Sequence, residues 1–230
     1  MKNVAILVDV ENTRPGAAKP VIEEASKYGR VIFKRAYADF NKENLKVWKQ
    51  ICSDLGLETI QQFSHVAKRG SSDGALIVDG MCLMFTTNVD IFCIVSSDCD
   101  FTKMAIAMRG HEKTVVGLGG SHTPICFQNA CEHFVYIENL IKEPLKKESD
   151  KQIQNIKVLE ENIIEILQES TKENINLSYI KDVLMRKYTS FDTRNYGFKT
   201  MLLFIKQFET IEVYSIPNVG VFVRESVKYK

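Results

Sequence analysis

The sequence predicts an α/β protein with a mainly parallel sheet, followed by a small winged-helix domain. Three observations lead there. Apolar, β-branched runs alternate with helical patterns from residue 3 to 139, which is how β-α-β units read. Two of those runs, Val4 to Val8 and Ile91 to Val95, meet acidic residues within a few positions of their ends. Past a charged stretch, residues 153–230 change to three amphipathic helical patterns and a terminal pair of strands.

Val4 to Val8 is the first strand. Pro15 suits the first turn of a helix, where its missing N–H is not needed. That helix is predicted to run to about Tyr28 on the stripe Val21, Ile22 and Ala25, with Gly29 ending it. Val31 to Tyr37 is the second strand. Leu45, Trp48, Ile51, Cys52 and Leu55 stand at helical spacing, and Gly56 closes their helix. Glu58 to Phe63 is a weaker strand. Leu76 to Phe85 is predicted helical, with Ser71 or Ser72 as N-cap and Asp73 in the first turn, where the helix dipole favours a negative charge. Gly74 and Ala75 leave room there for a bulky ligand.

Ile91 to Val95 is apolar throughout and reads as a strand buried on both faces. Thr102 to Met108 is helical, with Gly110 stopping it. Thr114 to Leu118 is a strand, Pro124 to Ala130 a short helix and Phe134 to Ile137 the last strand. Together, residues 1–140 make one Rossmann-like sheet. Residues 141–152 are charged and carry Pro144, as a linker does. Ile156, Leu159, Ile163, Ile166 and Leu167 mark the next helix. Leu177 to Tyr188 and Gly197 to Phe208 give two more. Ile211 to Tyr214 and Gly220 to Arg224 form a hairpin, so residues 153–230 spell a winged helix.

Bulk properties narrow the function. The net charge of +1 excludes a global basic field, so nucleic-acid contact must come from local patches. Residues 151–230 hold 12 Lys plus Arg against 10 Asp plus Glu, only mildly basic. No apolar run approaches the ~20 residues of a membrane span. The first strand runs into Asp9 with no small-residue cleavage site, so it does not read as a signal peptide. Six cysteines without a C-x-x-C pair suit reduced thiols in the cytoplasm. His122, Cys126, Cys131 and His133 match no standard zinc spacing. No G-x-S-x-G, P-loop or G-x-G-x-x-G motif occurs, and the Gly117–Gly120 turn is a weak signal by itself.

The chemistry is carried by acids. Asp98 and Asp100 follow the central strand, and Asp9 and Asn12 follow the first. A lone acid at a strand end is most simply a helix cap. Two parallel strands ending alike, at the carboxyl edge where α/β sheets bind ligands, point further. With Asp73 they make a four-carboxylate set that repels itself unless a hard cation offsets the charge. Mg²⁺ or Mn²⁺ there would polarise a phosphoryl oxygen, and hydrolysis of a phosphodiester is the natural reaction. Asn12 would orient the site or touch a phosphate. Lys68 and Arg69, just before the acidic helix, are candidates to hold a nucleic-acid backbone. Asp79 lies six residues after Asp73, about 120° around the helix, and does not share its face.

These motifs, Val8-Asp9-Val10-Glu11-Asn12, the segment from Lys68 to Asp79 and Ser96-Ser97-Asp98-Cys99-Asp100-Phe101, together resemble the NYN domain, the LabA-like (DUF88) branch of the PIN-like nucleases. The resemblance covers residues 3 to 139. It implies a three-layer sandwich and metal-dependent ribonuclease activity. It assigns metal binding to Asp9, Asp73, Asp98 and Asp100, with Asn12 as their polar partner and Asp79 as an acid common in this branch. Ser97 departs from the family's Ser-Gly-Asp-x-Asp. The run Phe191-Asp192-Thr193-Arg194-Asn195-Tyr196-Gly197-Phe198 resembles an OST-HTH (LOTUS) domain, which implies an RNA or protein partner. Lys181, Arg186, Lys187, Arg194 and Lys199 are its candidate contacts to single-stranded RNA. Two rival readings stay open: a binding or regulatory protein that keeps the acidic pocket without turnover, and a metal-dependent phosphatase acting on a small ester.

Overall fold

The structure, a computed structural model, describes residues 1–63, 71–141, 149–170, 175–217 and 219–226. It divides into two units, Met1–Glu143 and Pro144–Lys230.

The first unit is built on a six-stranded sheet: β1 (Asn3–Asp9), β2 (Arg30–Ala38), β3 (Glu58–Gln61), β4 (Ile91–Val95), β5 (Thr114–Gly119) and β6 (His133–Tyr136). The spatial order is β3-β2-β1-β4-β5-β6, and every pairing is parallel. The chain lays strands outward from β1 in one direction and from β4 in the other. The switch point therefore falls between β1 and β4, where Val8 registers with Val95. In a doubly wound sheet the crevice at such a point is the ligand site.

Alternate side chains of the central strands feed two cores. Val4, Ile6 and Val8 pack with Val21 of α1 (Ala18–Ala25) and with fully buried Trp48 of α2 (Lys46–Leu55). Ala5, Leu7, Phe92 and Ile94 pack with Leu76 of α3 (Ser71–Thr86), Met104 of α4 (Thr102–Gly110) and Phe127 of α5 (Ile125–Ala130). This makes the three layers. The glycines near the end of β5 permit close packing. A Cβ at Gly117 would meet the Phe134 ring at 2.5 Å, and one at Gly119 would meet the Ser96 carbonyl at 2.5 Å.

Several element bounds differ from the sequence pattern for local reasons. Pro15–Ala17 is a 3-10 turn before α1, which ends at Ala25. Pro20 lacks the N–H that would bond back to Gly16, so regular α-helix from Pro15 is not available. Helix α3 starts at Ser71, so Ser71 and Ser72 lie inside it and neither is its cap; Asp73 keeps its place in the first turn. Gly110 is the last residue of α4, and the turn beyond it uses Glu112 at φ 61°. Strand β6 gives way to α6 (Ile137–Ile141), whose Ile137 closes the first core.

The second unit comprises α7 (Ser149–Glu169), β7 (Ile175–Asn176), α8 (Leu177–Lys187), α9 (Met201–Ile205), β8 (Ile211–Ile216) and β9 (Gly220–Glu225). Its sheet runs β7-β9-β8, antiparallel. The helix expected over Gly197–Phe208 is shorter. Asp192 caps a 3-10 turn over Thr193–Tyr196, Gly197 ends it at φ 87°, and the Thr200 side chain caps α9. Phe204 sits fully buried among Phe191, Tyr196, Phe198 and Phe208, with ring centroids 5.3–5.9 Å away. The aromatic motif is thus the core of this small domain.

Candidate active site

The site grows from the ends of β1 and β4. Asp9 is the last residue of β1 and only 1% exposed. Its Oδ2 accepts hydrogen bonds from the Ser96 hydroxyl (2.7 Å) and the Asn12 amide (2.8 Å), and its Oδ1 accepts the Asn12 backbone N–H (3.3 Å). Burial nevertheless outweighs these bonds and pushes the Asp9 carboxyl above its ordinary range. Ser96, buried just past β4, also accepts the Asp98 N–H (3.0 Å). One hydroxyl thereby ties the first acid to the second.

Asp98 caps the 3-10 turn Cys99–Phe101, its Oδ1 accepting the Asp100 N–H at 3.0 Å. The cap turns the chain so that the ligand atoms of Asp98, Cys99 and Asp100 all lie within 4.8 Å of one another. Asp73 approaches them from the first turn of α3. Its carboxyl is pushed up to about 6, by burial first and then by the charges of Asp9, Asp98, Asp100 and Glu11. Asp73 and Asp9 lie outside the group of ligand atoms within 4.8 Å, which is Asp98, Cys99 and Asp100; what links Asp73 to them is charge felt across the crevice. Among the described residues no Lys or Arg pairs with any of the four acids. The set offers oxygen donors and an uncompensated negative charge, which fits a hard divalent cation.

The remaining candidates divide. Asn12 belongs to the site through Asp9. Glu11 is exposed and pairs with Lys42 at 2.7 Å. Asp79 stands apart from the acidic set. Both its carboxylate oxygens accept Arg35 Nη1 at 2.8 Å, and the Tyr37 hydroxyl donates to it as well. Since Tyr37 registers with Asp9, this network fixes α3 to β2 at the level of the site. Tyr37→Phe is expected to cost about 2 kcal/mol, the usual range for a hydrogen bond to a charged group. Urea unfolding of the two proteins checks it, and a change under ~0.5 kcal/mol would count against the tie.

Ser97 accepts the Gly120 N–H at 2.9 Å and fastens the β4 end to the β5 end. Lys68 and Arg69 lie outside the described residues. In the second unit, Lys181, Arg186 and Lys199 are exposed, with Arg186 Nε donating to the Asp182 carbonyl at 3.2 Å. Lys187 pairs with Glu165 at 4.0 Å and also bonds Asn162. Arg194 is held by both carboxylate oxygens of Asp192. These last two are therefore engaged within the fold. Sequence reasoning missed the bridging role of Ser96, and the pair Arg35 and Tyr37. The only local signal for Ser96 was a serine at the end of a buried strand; its partner is 87 positions away.

Residues 3–138 match the NYN domain family, and residues 154–221 match the OST-HTH/LOTUS domain family. No curated protein matches the chain. Among solved structures, a protein of unknown function from Vibrio parahaemolyticus is 21% identical, covering 60% of this chain and 94% of its own, with a TM-score of 0.52. That likeness is one of fold. MurG from Acinetobacter baumannii is 12% identical over 59% of this chain and 41% of its own, with a TM-score of 0.39. UDP-GlcNAc 2-epimerase from Methanocaldococcus jannaschii is 14% identical over 91% and 71%, with a TM-score of 0.38. Neither of these last two bears on function.

Proposed function

The chain belongs to the NYN-domain family, within the PIN-like nuclease superfamily, and on that premise we propose that it is a divalent-metal-dependent ribonuclease. What supports the reading is that Asp9 and Asp98 follow β1 and β4 on either side of the switch point, with Asp73 near enough to feel the charges of Asp9, Asp98 and Asp100. Mg²⁺ or Mn²⁺ bound there would polarise the scissile phosphoryl oxygen and stabilise the leaving oxygen. The protein's own contribution is placement. Asn12 and Ser96 hold the Asp9 carboxylate in one orientation. Asp98 spends Oδ1 on the cap, and among the described residues nothing bonds its other oxygen.

The second domain belongs to a class that generally binds nucleic acid. Exposed Lys181, Arg186 and Lys199 are the side chains we assign to phosphate contact with single-stranded RNA. No helix among the described residues is long and apolar enough to cross a membrane. All six thiols are free, which suits a reducing compartment such as the cytoplasm.

The test is cleavage of end-labelled single-stranded RNA with Mn²⁺ or Mg²⁺, with EDTA, and after metal is restored. The expected result is cleavage that EDTA stops and added metal recovers, with no turnover of a chromogenic phosphate monoester. RNA binding without cleavage across several sequences would favour a regulatory binding protein. Turnover of the monoester but not RNA would favour a phosphatase.

A further inference from the structure

Asp79 is the acid of α3 that the metal-site reading leaves without a role, and its surroundings argue against its being a ligand. Both its oxygens accept Arg35 Nη1 at 2.8 Å, and it also accepts the Tyr37 hydroxyl. The guanidinium already supplies the positive charge that a cation would bring. Arg35 is itself shared: its Nε donates to Glu58 Oε2 of β3 at 2.7 Å. One side chain thereby spans β3, β2 and α3. The clamp is largely shielded from water, with the Arg35 side chain 18% exposed, that of Asp79 27% exposed and Tyr37 fully buried. Charge-assisted bonds in such a setting are strong and directional.

The clamp sits where it can set the height of Asp73. Tyr37 registers with Asp9, and Arg35 with Leu7. Helix α3 leads from β3 back to β4, parallel strands of one sheet, so it runs against the strands and its first turn lies at their carboxyl edge. Asp73 is six residues before Asp79, about 9 Å of helical rise. Leu76, Leu83 and Met84 of α3 pack into the core, and at Gly80 an added Cβ would meet the Leu7 side chain at 3.0 Å. Apolar contacts of this kind hold the helix close but are non-directional. A slip of one residue would carry Asp73 about 1.5 Å along the axis and about 100° around it. A working constellation tolerates only about 0.5 Å. We infer that Asp79, through Arg35 and Tyr37, is a positioning residue that holds Asp73 in register with Asp9 for metal binding. This rests on the metal-site reading above.

The experiment measures Mn²⁺ affinity of the full chain by electron paramagnetic resonance, with circular dichroism melts to establish that each variant is folded. Asp79→Asn is expected to bind Mn²⁺ about 10-fold more weakly than wild type, and Tyr37→Phe about 3-fold more weakly. The same Asp79→Asn change made on top of Asp73→Asn should alter the affinity by less than about twofold, because no Asp73 carboxylate is left to misplace. A merely structural Asp79 lowers the Tm and leaves the affinity of the folded protein alone, or weakens both backgrounds alike. Affinity of Asp79→Asn within about twofold of wild type therefore overturns the inference. So does an equal loss with and without Asp73. Either result, in a wild type that does bind Mn²⁺, leaves the metal site standing and removes only the role of Asp79. A wild type that takes up no Mn²⁺ overturns the metal-site reading and the inference with it. Should Asp79→Asn not fold, Tyr37→Phe keeps the Arg35 pair and carries the same comparison in both backgrounds.

Discussion

Asp98→Asn is expected to lower kcat/KM for RNA cleavage by at least ~10³-fold, about 4 kcal/mol of transition-state stabilisation, while the protein stays folded. The two halves of that result come from different atoms of one side chain. Asp98 Oδ1 accepts the Asp100 N–H and starts the 3-10 turn. Asparagine keeps that oxygen, so the cap survives and Asp100 and Cys99 stay in place. What disappears is the charge that would hold a cation. Without metal, losing one charge also relieves Asp73 of a repelling neighbour. The variant should therefore melt at or above the wild-type temperature. Asp98→Ala makes the contrast, since it loses both functions, and removing an N-cap costs about 1 kcal/mol. Steady-state cleavage with Mn²⁺ and thermal melts of all three proteins decide the matter. An Asp98→Asn enzyme within tenfold of wild type would remove Asp98 from the metal shell.

The residues of this site differ in how far the sequence reveals them. The termini of β1 and β4 are legible, because a β-branched run that stops at an acid records both the buried strand and its exposed edge. Their adjacency is not, because the β-α-β rhythm leaves strand order open; the sheet order β3-β2-β1-β4-β5-β6 sets them side by side. The start of α3 is less legible than the strand ends. Ser71 and Ser72 are good caps in isolation, but helix continues through them, and propensity near a helix end is weak against packing of the Leu76 side. Asp79 is legible as an acid without a face in common with Asp73, but not as a partner of Arg35 and Tyr37, which lie 44 and 42 positions away on β2. Ser96 is similar: its hydroxyl is aimed by the fold at Asp9. Gly197 shows the opposite failure. The apolar pattern around it is helical, yet the backbone there adopts φ 87°, which glycine permits and which ends one turn before Thr200 begins the next. Pairs close in space and far in sequence carry most of what the pattern left out.

Asp73 gives the site a pH dependence whose sign separates a metal centre from an ordinary acidic surface. Its carboxyl ionises near about 6 in the folded protein against an ordinary value of 3.8, and Asp9 is raised too. The folded state thus holds protons that the unfolded chain has released. Stability then falls as pH rises through the window from about 4 to about 6, and the loss is complete above it. On the proposed function a divalent cation would bind the ionised carboxylates and so act against that loss where the loss is greatest. Mn²⁺ affinity should be about tenfold weaker at pH 5 than at pH 7, since one proton must leave Asp73. The Mn²⁺-induced rise in Tm should shrink accordingly. Asp73→Asn removes the repulsion and, on the proposed function, a metal ligand together. At pH 7.5 without metal it should raise the Tm by roughly 2–4 °C, about 1 kcal/mol after allowance for solvent screening. That gain should vanish near pH 4, and the variant should respond less to Mn²⁺ at every pH. Thermal melts at pH 4, 5 and 7.5, with and without Mn²⁺, measure all of this. An equal Mn²⁺ shift at pH 5 and 7.5, in wild type and variant alike, would mean that the ion sits elsewhere and that Asp73 merely tolerates its neighbours.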